Sequence, residues 1–403
     1  MPRFSHDAPV YRKGCVNKLA KRKKEFLFGT AAWAVAGMIC LSPIANGAEN
    51  SPGISSSQYE RELQAEAESM ASGSPPPENV HHPVTASPPV QTEQKKKEVI
   101  QESKPSPLPV RSSSSPEKNL VVKNTGRQWL NLSYGMKSGK QTLDLYLPKE
   151  GKGPFPVIVA FHGRGSDKRN LEMEVPLMGL NRGFAVACVN YREAPESPIP
   201  ADVVDAKAAV RYLKGNASKY HLDSAHIFAW GASFGGKLAS FLGTSANHPE
   251  LEDLSIGSRG QSSHVTAVVA LFPELDDLRM DADFRKLGIR PEFSRNEDKY
   301  GTEMYGAPLQ KIPGLVSLYD PSRYVSPNSS PFFILHGTAD NVCPILQSER
   351  LANALKHTIG SKYIEYHPVK GAGHRIKDVL DQDNTNRVFK YLEKLIKKTE
   401  KKK

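Results

Sequence analysis

The chain has 403 residues and a formal net charge of +11, and the placement of that charge limits its partners. Residues 1–24 contribute +7 and residues 397–403 contribute +4, so the rest of the chain is neutral overall. The excess charge therefore belongs to two tails that have their own explanations, and a phosphate-binding folded body is not indicated. We therefore expect no nucleic-acid partner.

The four cysteines are widely spaced and form no C-x-x-C pair, so they suggest neither a zinc site nor a disulfide framework. Cys15 and Cys40 lie in the N-terminal targeting region. Cys188 falls in an apolar strand, where a buried free thiol is the usual outcome. A bridge between Cys188 and Cys343 is open to the chain only in an oxidising compartment.

The N-terminal segment has the order of a secretory signal. A basic run at 21–24 precedes an apolar stretch at 26–41 and a small-residue run at 45–48. Residues 1–48 are therefore predicted to be a signal peptide, cut after Gly47, and the protein is expected to be exported to the periplasm or the extracellular space. The alternative is an uncleaved signal, which would anchor the protein in the membrane with its basic end in the cytoplasm.

The segment from 49 to 118 is rich in Ser, Pro, Glu, Lys and Gln and poor in aromatic and branched apolar residues. Such a composition cannot bury enough apolar surface to offset the entropy of the chain, so it predicts a disordered linker. Residues 119–398 have a different texture and form the predicted folded domain, and residues 399–403 are a short basic tail.

Strand-like and helix-like segments alternate through residues 119–398 and predict an α/β fold, a doubly wound, mostly parallel sheet. The first two strands alternate as a hairpin does, and the later ones are continuous apolar runs, typical of strands covered on both faces. Strands are predicted at 129–134, 142–147, 157–161, 185–190, 227–230, 265–272, 332–335 and 363–367, and helices at 171–180, 201–220, 234–244, 344–357 and 384–398.

Ser233 lies in a Gly-x-Ser-x-Gly pattern, between a predicted strand and a predicted helix. Small neighbours permit a strained turn that presents a serine hydroxyl at the carboxyl edge of the sheet, where ligands of such folds bind. A serine hydroxyl becomes a good nucleophile only when a base takes its proton and nearby donors hold the resulting oxyanion. The alternative is a glycine-rich loop with a surface serine.

The base and its orienting acid are expected after the nucleophile, in the order serine, acid, histidine. Asp340 and His374 each follow a predicted strand, so both are predicted to reach the edge that carries Ser233. We predict that His374 is the base and that Asp340 orients it. The alternatives are a helix N-cap for Asp340 and a surface-loop position for His374. His162 and His336 compete for the role of base, although each is better placed to shape its own turn.

The oxyanion hole needs two backbone donors. Phe234 follows the nucleophile and is predicted to supply one, and the turn after the strand at 157–161 supplies the other through Gly163 or Arg164. The Arg164 side chain either faces solvent or pairs with a carboxylate of the substrate.

Several stretches together resemble the bacterial feruloyl esterase and acetylxylan esterase-like (BD-FAE-like) carboxylesterases. The resemblance implies an α/β-hydrolase fold with an inserted cap between the strands at 265–272 and 332–335. It also implies a triad of Ser233, Asp340 and His374 that hydrolyses a small-molecule or polysaccharide ester, such as an acetyl or feruloyl ester, through an acyl-enzyme without a metal or cofactor. The matching stretches are 143–148, 162–163, 189–192, 205–213, 230–236, 336–342 and 371–374.

Two positions depart from the pattern of this family. Arg164 stands where the family usually has Gly, and no Trp follows it, so the resemblance leaves the donor on this turn open. Phe234 stands where the family usually has Ala, so we expect a narrower pocket beside the nucleophile.

Two rival functions remain open. A serine exopeptidase or amidase of the prolyl-oligopeptidase type would normally carry a propeller domain before the hydrolase, and residues 49–118 are too short and too polar to form one. A binding protein on an inactive hydrolase fold is the second rival, although all three triad positions are filled.

Overall fold

The computed structural model describes residues 122–246, 248–295 and 297–400. The predicted signal, the predicted linker and the last three lysines lie outside the described residues, and the boundaries proposed for them stay predictions. Within the described part of the chain, no helix combines the length and the apolar character that a membrane crossing requires.

A sheet of eight strands forms the centre of the described fold, in the order β1-β2-β4-β3-β5-β6-β7-β8. β1 and β2 are antiparallel to each other, β2 is antiparallel to β4, and all other neighbours are parallel. This confirms the predicted mostly parallel sheet. The strands are β1 Thr125–Ser133, β2 Thr142–Pro148, β3 Phe155–Phe161, β4 Ala185–Val189, β5 Leu222–Ala232, β6 Ala267–Leu271, β7 Phe332–Gly337 and β8 Ile364–Val369.

The strand order reverses at β3, and this reversal positions the site. β4 lies on one side of β3 and β5 on the other, so the chain leaves the carboxyl ends of β3 and β5 in opposite directions. Loops that diverge in this way open a crevice at the carboxyl edge of a sheet, which is where ligands of doubly wound folds bind. The loop after β3 and the turn after β5 therefore face each other.

Helices cover both faces of the sheet and bury its continuous apolar runs. Along β3, Val157, Val159 and Phe161 face one core, together with residues of α2, α4 and α8. Ile158 and Ala160 face the other core, together with residues of α1 and α10. The α-helices are α1 Glu174–Leu177, α2 Ala201–Gly215, α3 Ala217–Tyr220, α4 Phe234–Thr244, α5 Met280–Leu287, α6 Asp298–Tyr305, α7 Pro313–Leu318, α8 Leu346–Ile359, α9 Ile376–Val379 and α10 Gln382–Glu400.

Short 3₁₀ helices and breaks account for the differences from the predicted helices. The predicted helix at 171–180 is a four-residue α-helix between two 3₁₀ helices, Leu171–Met173 and Met178–Arg182. The predicted helix at 201–220 breaks at Asn216, whose φ of −107° and ψ of 14° are not helical. The helix predicted at 234–244 is found with the same bounds.

The segment between β6 and β7, residues 272–331, is called the cap insertion below. It contains α5, α6 and α7, and 3₁₀ helices at Leu309–Lys311 and Pro321–Tyr324. Two further 3₁₀ helices lie outside it, at Pro249–Leu251 and Ser361–Tyr363. Most of its aromatic side chains pack inward, including Phe284, Tyr319 and Tyr324, while Phe293 is 37% exposed. These rings therefore serve mainly to pack the cap insertion against the domain.

The two described cysteines are Cys188 and Cys343, and both are buried free thiols. The bridge between them, which the sequence left open, does not form.

Candidate active site

Ser233 occupies a strained turn between β5 and α4. Its φ of 55° and ψ of −121° lie in a region that non-glycine residues rarely adopt, and such a conformation costs about 1–3 kcal/mol. Three backbone hydrogen bonds hold the turn. The N–H of Ser233 donates to Leu271 (2.9 Å), and its carbonyl oxygen accepts from Lys237 (3.1 Å) and from Glu274 (3.2 Å).

The two glycines of the Gly-x-Ser-x-Gly pattern are required by close backbone approaches. A Cβ at Gly231 would lie 2.0 Å from the carbonyl oxygen of Gly235. A Cβ at Gly235 would lie 2.2 Å from the carbonyl oxygen of Phe161 and 2.7 Å from that of His162. The start of α4 therefore rests directly on the end of β3, and only glycine fits there.

The structure brings the three predicted catalytic residues together. His374 follows β8, and its Nε2 lies 2.9 Å from Oγ of Ser233, 141 positions away in the sequence. Its Nδ1 lies 2.7 Å from Oδ2 of Asp340, which follows β7. A proton on Nδ1 directed at Asp340 leaves Nε2 free to accept the serine hydroxyl proton, which is the tautomer that general-base catalysis needs.

Asp340 is fully buried and fully hydrogen-bonded. Its second carboxylate oxygen accepts from the backbone N–H groups of Val342 and Cys343, both at 2.8 Å. Burial raises the pKa of Asp340, but the neighbouring imidazoles of His336 and His374 together lower it by more, so the pKa lies well below the usual range of a carboxyl group. The group therefore stays ionised and orients His374. The predicted alternative for Asp340, a helix N-cap, is not observed, because the next helix begins at Leu346 and its N-cap residue is Ile345.

The competing histidines contact other groups than Ser233. His336 is buried, with Nε2 3.5 Å from Asp340 and Nδ1 2.7 Å from Oγ of Ser348. His162 stacks on the ring of Tyr191 at 4.4 Å, and its Nδ1 lies 2.8 Å from the carbonyl oxygen of Gly163. Burial lowers the pKa of His162 to about 4, so this ring is neutral at pH 7.

The loop after β3, residues 162–170, contains the two predicted oxyanion donors on this side of the crevice, Gly163 and Arg164, and their N–H groups have different partners. The N–H of Gly163 donates to the carboxylate of Glu172 (2.7 Å), and the N–H of Gly165 donates to that of Glu193 (2.9 Å). Between them, the N–H of Arg164 has no acceptor among the described residues. Gly163 is therefore already occupied, and Arg164 is the available donor. Across the crevice, Phe234 is the first residue of α4, where a helical N–H lacks an intrahelical partner.

The side chain of Arg164 is partly buried and is bound by other groups of the protein. It forms an ion pair with Glu274 and contacts Met304, and its Nη2 lies 3.3 Å from the hydroxyl of Tyr300. Its guanidinium lies over the ring of Phe234 at 4.7 Å, and 31% of the side chain is exposed. Neither of the two roles predicted for this side chain describes these contacts.

The ring of Phe234, which was expected to narrow the pocket beside the nucleophile, also packs against other groups of the protein. This ring is almost fully buried and packs at 6.1 Å from Tyr191, so it does not itself form the wall beside the nucleophile. Arg164, which covers this ring, lies on the open side of it.

Sequence reasoning did not single out Glu172, Glu193 or Glu274. Glu274 lies just past the carboxyl end of β6, so the rule that drew attention to Asp340 and His374 applies to it as well. Among the described residues, no cluster of three or more His, Cys, Asp or Glu side chains is arranged to hold a metal ion.

Comparison with known proteins identifies the family of this fold and site. Residues 143–355, more than half of the chain, match the model of the BD-FAE family. Among curated proteins, Esterase LipC of Mycobacterium tuberculosis is 28% identical over 205 residues, which cover 51% of this chain and 48% of LipC. Esterase LipQ of the same organism is 30% identical over 205 residues, covering 49% and 45%.

The curated relatives are longer than the region they share with this protein, because the chain spans about half of their length. A solved structure described as a truncated form of a carbohydrate esterase from gut microbiota aligns with a TM-score of 0.60 and 27% identity. This alignment covers 69% of this chain and 99% of that one. On the family match over residues 143–355, the chain belongs to the BD-FAE family of α/β-hydrolase carboxylesterases.

Proposed function

We propose that this protein is a serine carboxylesterase in which Ser233, His374 and Asp340 form the catalytic triad. The observation that carries the proposal is the continuous set of contacts from Oγ of Ser233 through both ring nitrogens of His374 to the buried carboxylate of Asp340. Family membership and the esterases among its relatives support ester hydrolysis as the reaction.

The reaction proceeds in two steps. Nε2 of His374 takes the proton of the Ser233 hydroxyl as Oγ attacks the ester carbonyl carbon, and the carbonyl oxygen becomes an oxyanion. The backbone N–H groups of Arg164 and Phe234 donate to that oxyanion. The tetrahedral intermediate then expels the alcohol, which receives the proton from His374, and leaves an acyl-enzyme. Water attacks the acyl-enzyme through the same base, releases the carboxylic acid and restores Ser233.

The proposed substrates are acetyl or feruloyl esters of a polysaccharide. The solved carbohydrate esterase that covers most of this domain supports this class. Rates on acetylated xylan, on a feruloyl ester of a sugar and on simple alkyl esters would separate these substrates. A preference for simple alkyl esters would contradict the polysaccharide assignment and leave the triad proposal standing.

The test of the triad is hydrolysis of p-nitrophenyl acetate by the wild type, by Ser233→Ala and by Ser224→Ala. Ser224 lies on the same strand, β5, with an exposed side chain, so it is the matched control. We expect full activity in Ser224→Ala and a loss of about 10⁴-fold or more in Ser233→Ala. Full activity in Ser233→Ala would reject the assignment, and cleavage of p-nitroanilides without cleavage of esters would favour an amidase.

We also propose that the protein is exported, with residues 1–48 as its signal. The order of basic, apolar and small residues in this segment supports export. A fusion of residues 1–60 to a reporter that is active only outside the cytoplasm tests it, and Phe28→Arg in the apolar stretch is the control. An active reporter in the control, or an inactive one in the unaltered fusion, would contradict the proposal.

A further inference from the structure

Glu274 joins three separate parts of the site, two through its carboxylate and one through its backbone N–H. From the loop after β3, Arg164 forms an ion pair with it. From the cap insertion, the hydroxyl of Tyr300 donates to Oε1 (3.0 Å) and Nη2 of Arg295 donates to Oε2 (3.1 Å). From the elbow, the carbonyl oxygen of Ser233 accepts the backbone N–H of Glu274 itself (3.2 Å). One residue therefore contacts the oxyanion loop, the nucleophile and the cap.

This arrangement is buried and charged. The side chain of Glu274 is 4% exposed and that of Arg295 is 1% exposed. Burial raises the pKa of Glu274, but the guanidinium groups of Arg164 and Arg295 lower it more, so the carboxylate stays ionised. Glu274 already supplies a buried counter-ion for Arg164, so a substrate carboxylate would compete with it for this guanidinium. The contacts therefore favour a positioning role for Arg164 over recognition of a charged substrate.

Aromatic rings hold the Arg164 guanidinium from two sides. It lies 4.7 Å above the ring of Phe234, whose backbone N–H is the proposed second oxyanion donor, and 5.4 Å from the ring of Tyr300 in the cap insertion. A planar guanidinium stacks and forms fixed hydrogen bonds, so it restrains its own backbone more strongly than a flexible ammonium does. The side chain of Arg164 thus ties its peptide N–H to the start of α4.

Two other side chains, Glu172 and Glu193, also hold the loop at 162–170, but they do not connect it to the nucleophile elbow. Glu172 and Glu193 bind the N–H groups on either side of Arg164, and they lie on the β4 side of the crevice, in segments between β3 and α2. The side chain of Arg164 instead crosses toward the elbow, where it lies over the ring of Phe234, and reaches Glu274 in the segment that follows β6. A displacement of about 1 Å of a catalytic group costs about 10²-fold in rate.

We propose that Arg164 and Glu274 form a positioning pair, which holds the oxyanion loop against the nucleophile elbow and aims the N–H of Arg164 at the developing oxyanion. The inference rests on the proposed esterase function and deepens it, because it assigns a role to two side chains outside the triad. It also couples the cap insertion to the oxyanion hole through Arg295 and Tyr300.

The test uses Arg164→Gln, Glu274→Gln and the double variant, with Glu303→Gln as the matched control. Glu303 belongs to an exposed ion pair with Lys299 in the cap insertion, 3.9 Å apart. Each protein is assayed for kcat and KM on p-nitrophenyl acetate, for melting temperature, and for binding of a trifluoromethyl ketone. The serine oxygen adds to the carbonyl carbon of this ketone, and the carbonyl oxygen becomes the oxyanion of a hemiketal. The matched methyl ketone resembles the ground state and serves as the reference ligand.

We expect Arg164→Gln to lower kcat about 10²-fold with KM nearly unchanged. The affinity for the trifluoromethyl ketone should fall by a similar factor, while the affinity for the methyl ketone stays the same. Because both side chains act through one pair, the double variant should lose little more than the stronger single variant. Arg164→Lys should recover part of kcat, since it restores the charge without the planar fork. Glu303→Gln should match the wild type.

Two results would overturn the inference while leaving the proposed function intact. One is an active wild type whose Arg164→Gln variant keeps its kcat and loses only melting temperature, which would make the pair a structural contact. The other is a loss confined to esters that carry a carboxylate, which would make Arg164 a substrate receptor. A wild type that cleaves no ester overturns both proposals. Arg164→Gln is the primary variant because it leaves Glu274 paired with the buried Arg295, so its folding is less at risk than that of Glu274→Gln.

Discussion

Replacement of Gly235 by alanine is the most direct perturbation of the nucleophile elbow. The added methyl group would lie 2.2 Å from the carbonyl oxygen of Phe161 and 2.7 Å from that of His162. Ordinary contacts of a Cβ begin at 3.4 Å, so α4 and the end of β3 must separate by roughly 1 Å. Both obstructing atoms belong to the backbone of a buried strand end, and neither can rotate away.

The separation acts on stability and on rate through different groups. Forcing a methyl group into a closed contact costs about 1–3 kcal/mol of the free energy of unfolding. The same shift moves the N–H of Phe234, on one side of the crevice, relative to that of Arg164 on the other. A misplacement of about 1 Å at a catalytic group costs about 10²-fold in rate, or about 2.7 kcal/mol of transition-state stabilisation. We expect both losses together.

Gly314→Ala is the matched control for Gly235→Ala. Each glycine is the second residue of a helix, but a Cβ at Gly314 would have no atom within 4 Å. Gly314→Ala should keep full activity and gain about 0.5–1 kcal/mol in unfolding free energy. Urea denaturation and the kcat on p-nitrophenyl acetate measure both effects. A Gly235→Ala variant with the stability and kcat of the wild type would refute the close approach of α4 and β3.

Two further predictions concern buried carboxylates. Asp340→Asn should lower kcat about 10⁴-fold with little change in KM, because the amide no longer fixes the Nδ1–H tautomer of His374; a loss of less than tenfold on p-nitrophenyl acetate would contradict the assigned role. Burial and the nearby carboxylate of Asp320 raise the pKa of Asp276 to about 7, against about 3.9 in an unfolded chain, so the folded protein retains a proton that the unfolded chain loses. The stability that this proton contributes is fully present below about pH 4 and is lost as the pH rises to about 7, at up to about 1.4 kcal/mol per pH unit. Urea denaturation at pH 5 and at pH 7.5 should therefore show a smaller loss of stability in Asp276→Asn than in the wild type, and parallel losses in the two proteins would contradict the raised pKa.

The sheet was predictable because its strands carry their signal locally. A run such as 157–161 is apolar at every position, which is typical of a strand buried on both faces. The turn at Ser233 was predictable for the same reason, since two nearby glycines and the change from strand to helix pattern describe a local geometry. The position of Asp340 and His374 at the same edge then followed from the topology of parallel sheets, and their order along the chain from the arrangement typical of the elbow-type fold.

The helices of the cap insertion were not predicted, because they are too short to establish a helical period. α5 and α6 have eight residues each and α7 has six, so each has only about two turns. Isolated segments of this length are unstable in water and depend on their tertiary contacts. In α5, Met280 and Phe284 supply these contacts by packing with Cys343, far along the chain.

The choice between Gly163 and Arg164 as oxyanion donors shows where sequence reasoning stops. Both peptide groups follow β3, and glycine looks the better candidate because a backbone approaches it more closely. The carboxylate of Glu172 reverses that preference by occupying the N–H of Gly163. Glu172 lies nine positions after Gly163, and no sequence pattern around either residue predicts the contact.

The proposed role of the Arg164 side chain depends on contacts with residues that are even farther away in the sequence. Glu274, which binds its guanidinium, is 110 positions away, and the ring of Tyr300 beyond it is 136 positions away. An arginine that replaces glycine in the oxyanion turn would ordinarily add a flexible charge at the edge of the site. Here the carboxylate, the two rings and the backbone bond from Glu274 to Ser233 convert the same substitution into a restraint on the peptide that faces the substrate. For this departure from the family pattern the sequence left two alternatives, a solvent-facing side chain and recognition of a substrate carboxylate. The proposed positioning role is a third, and the affinity for an oxyanion rather than for a charged ester tests it.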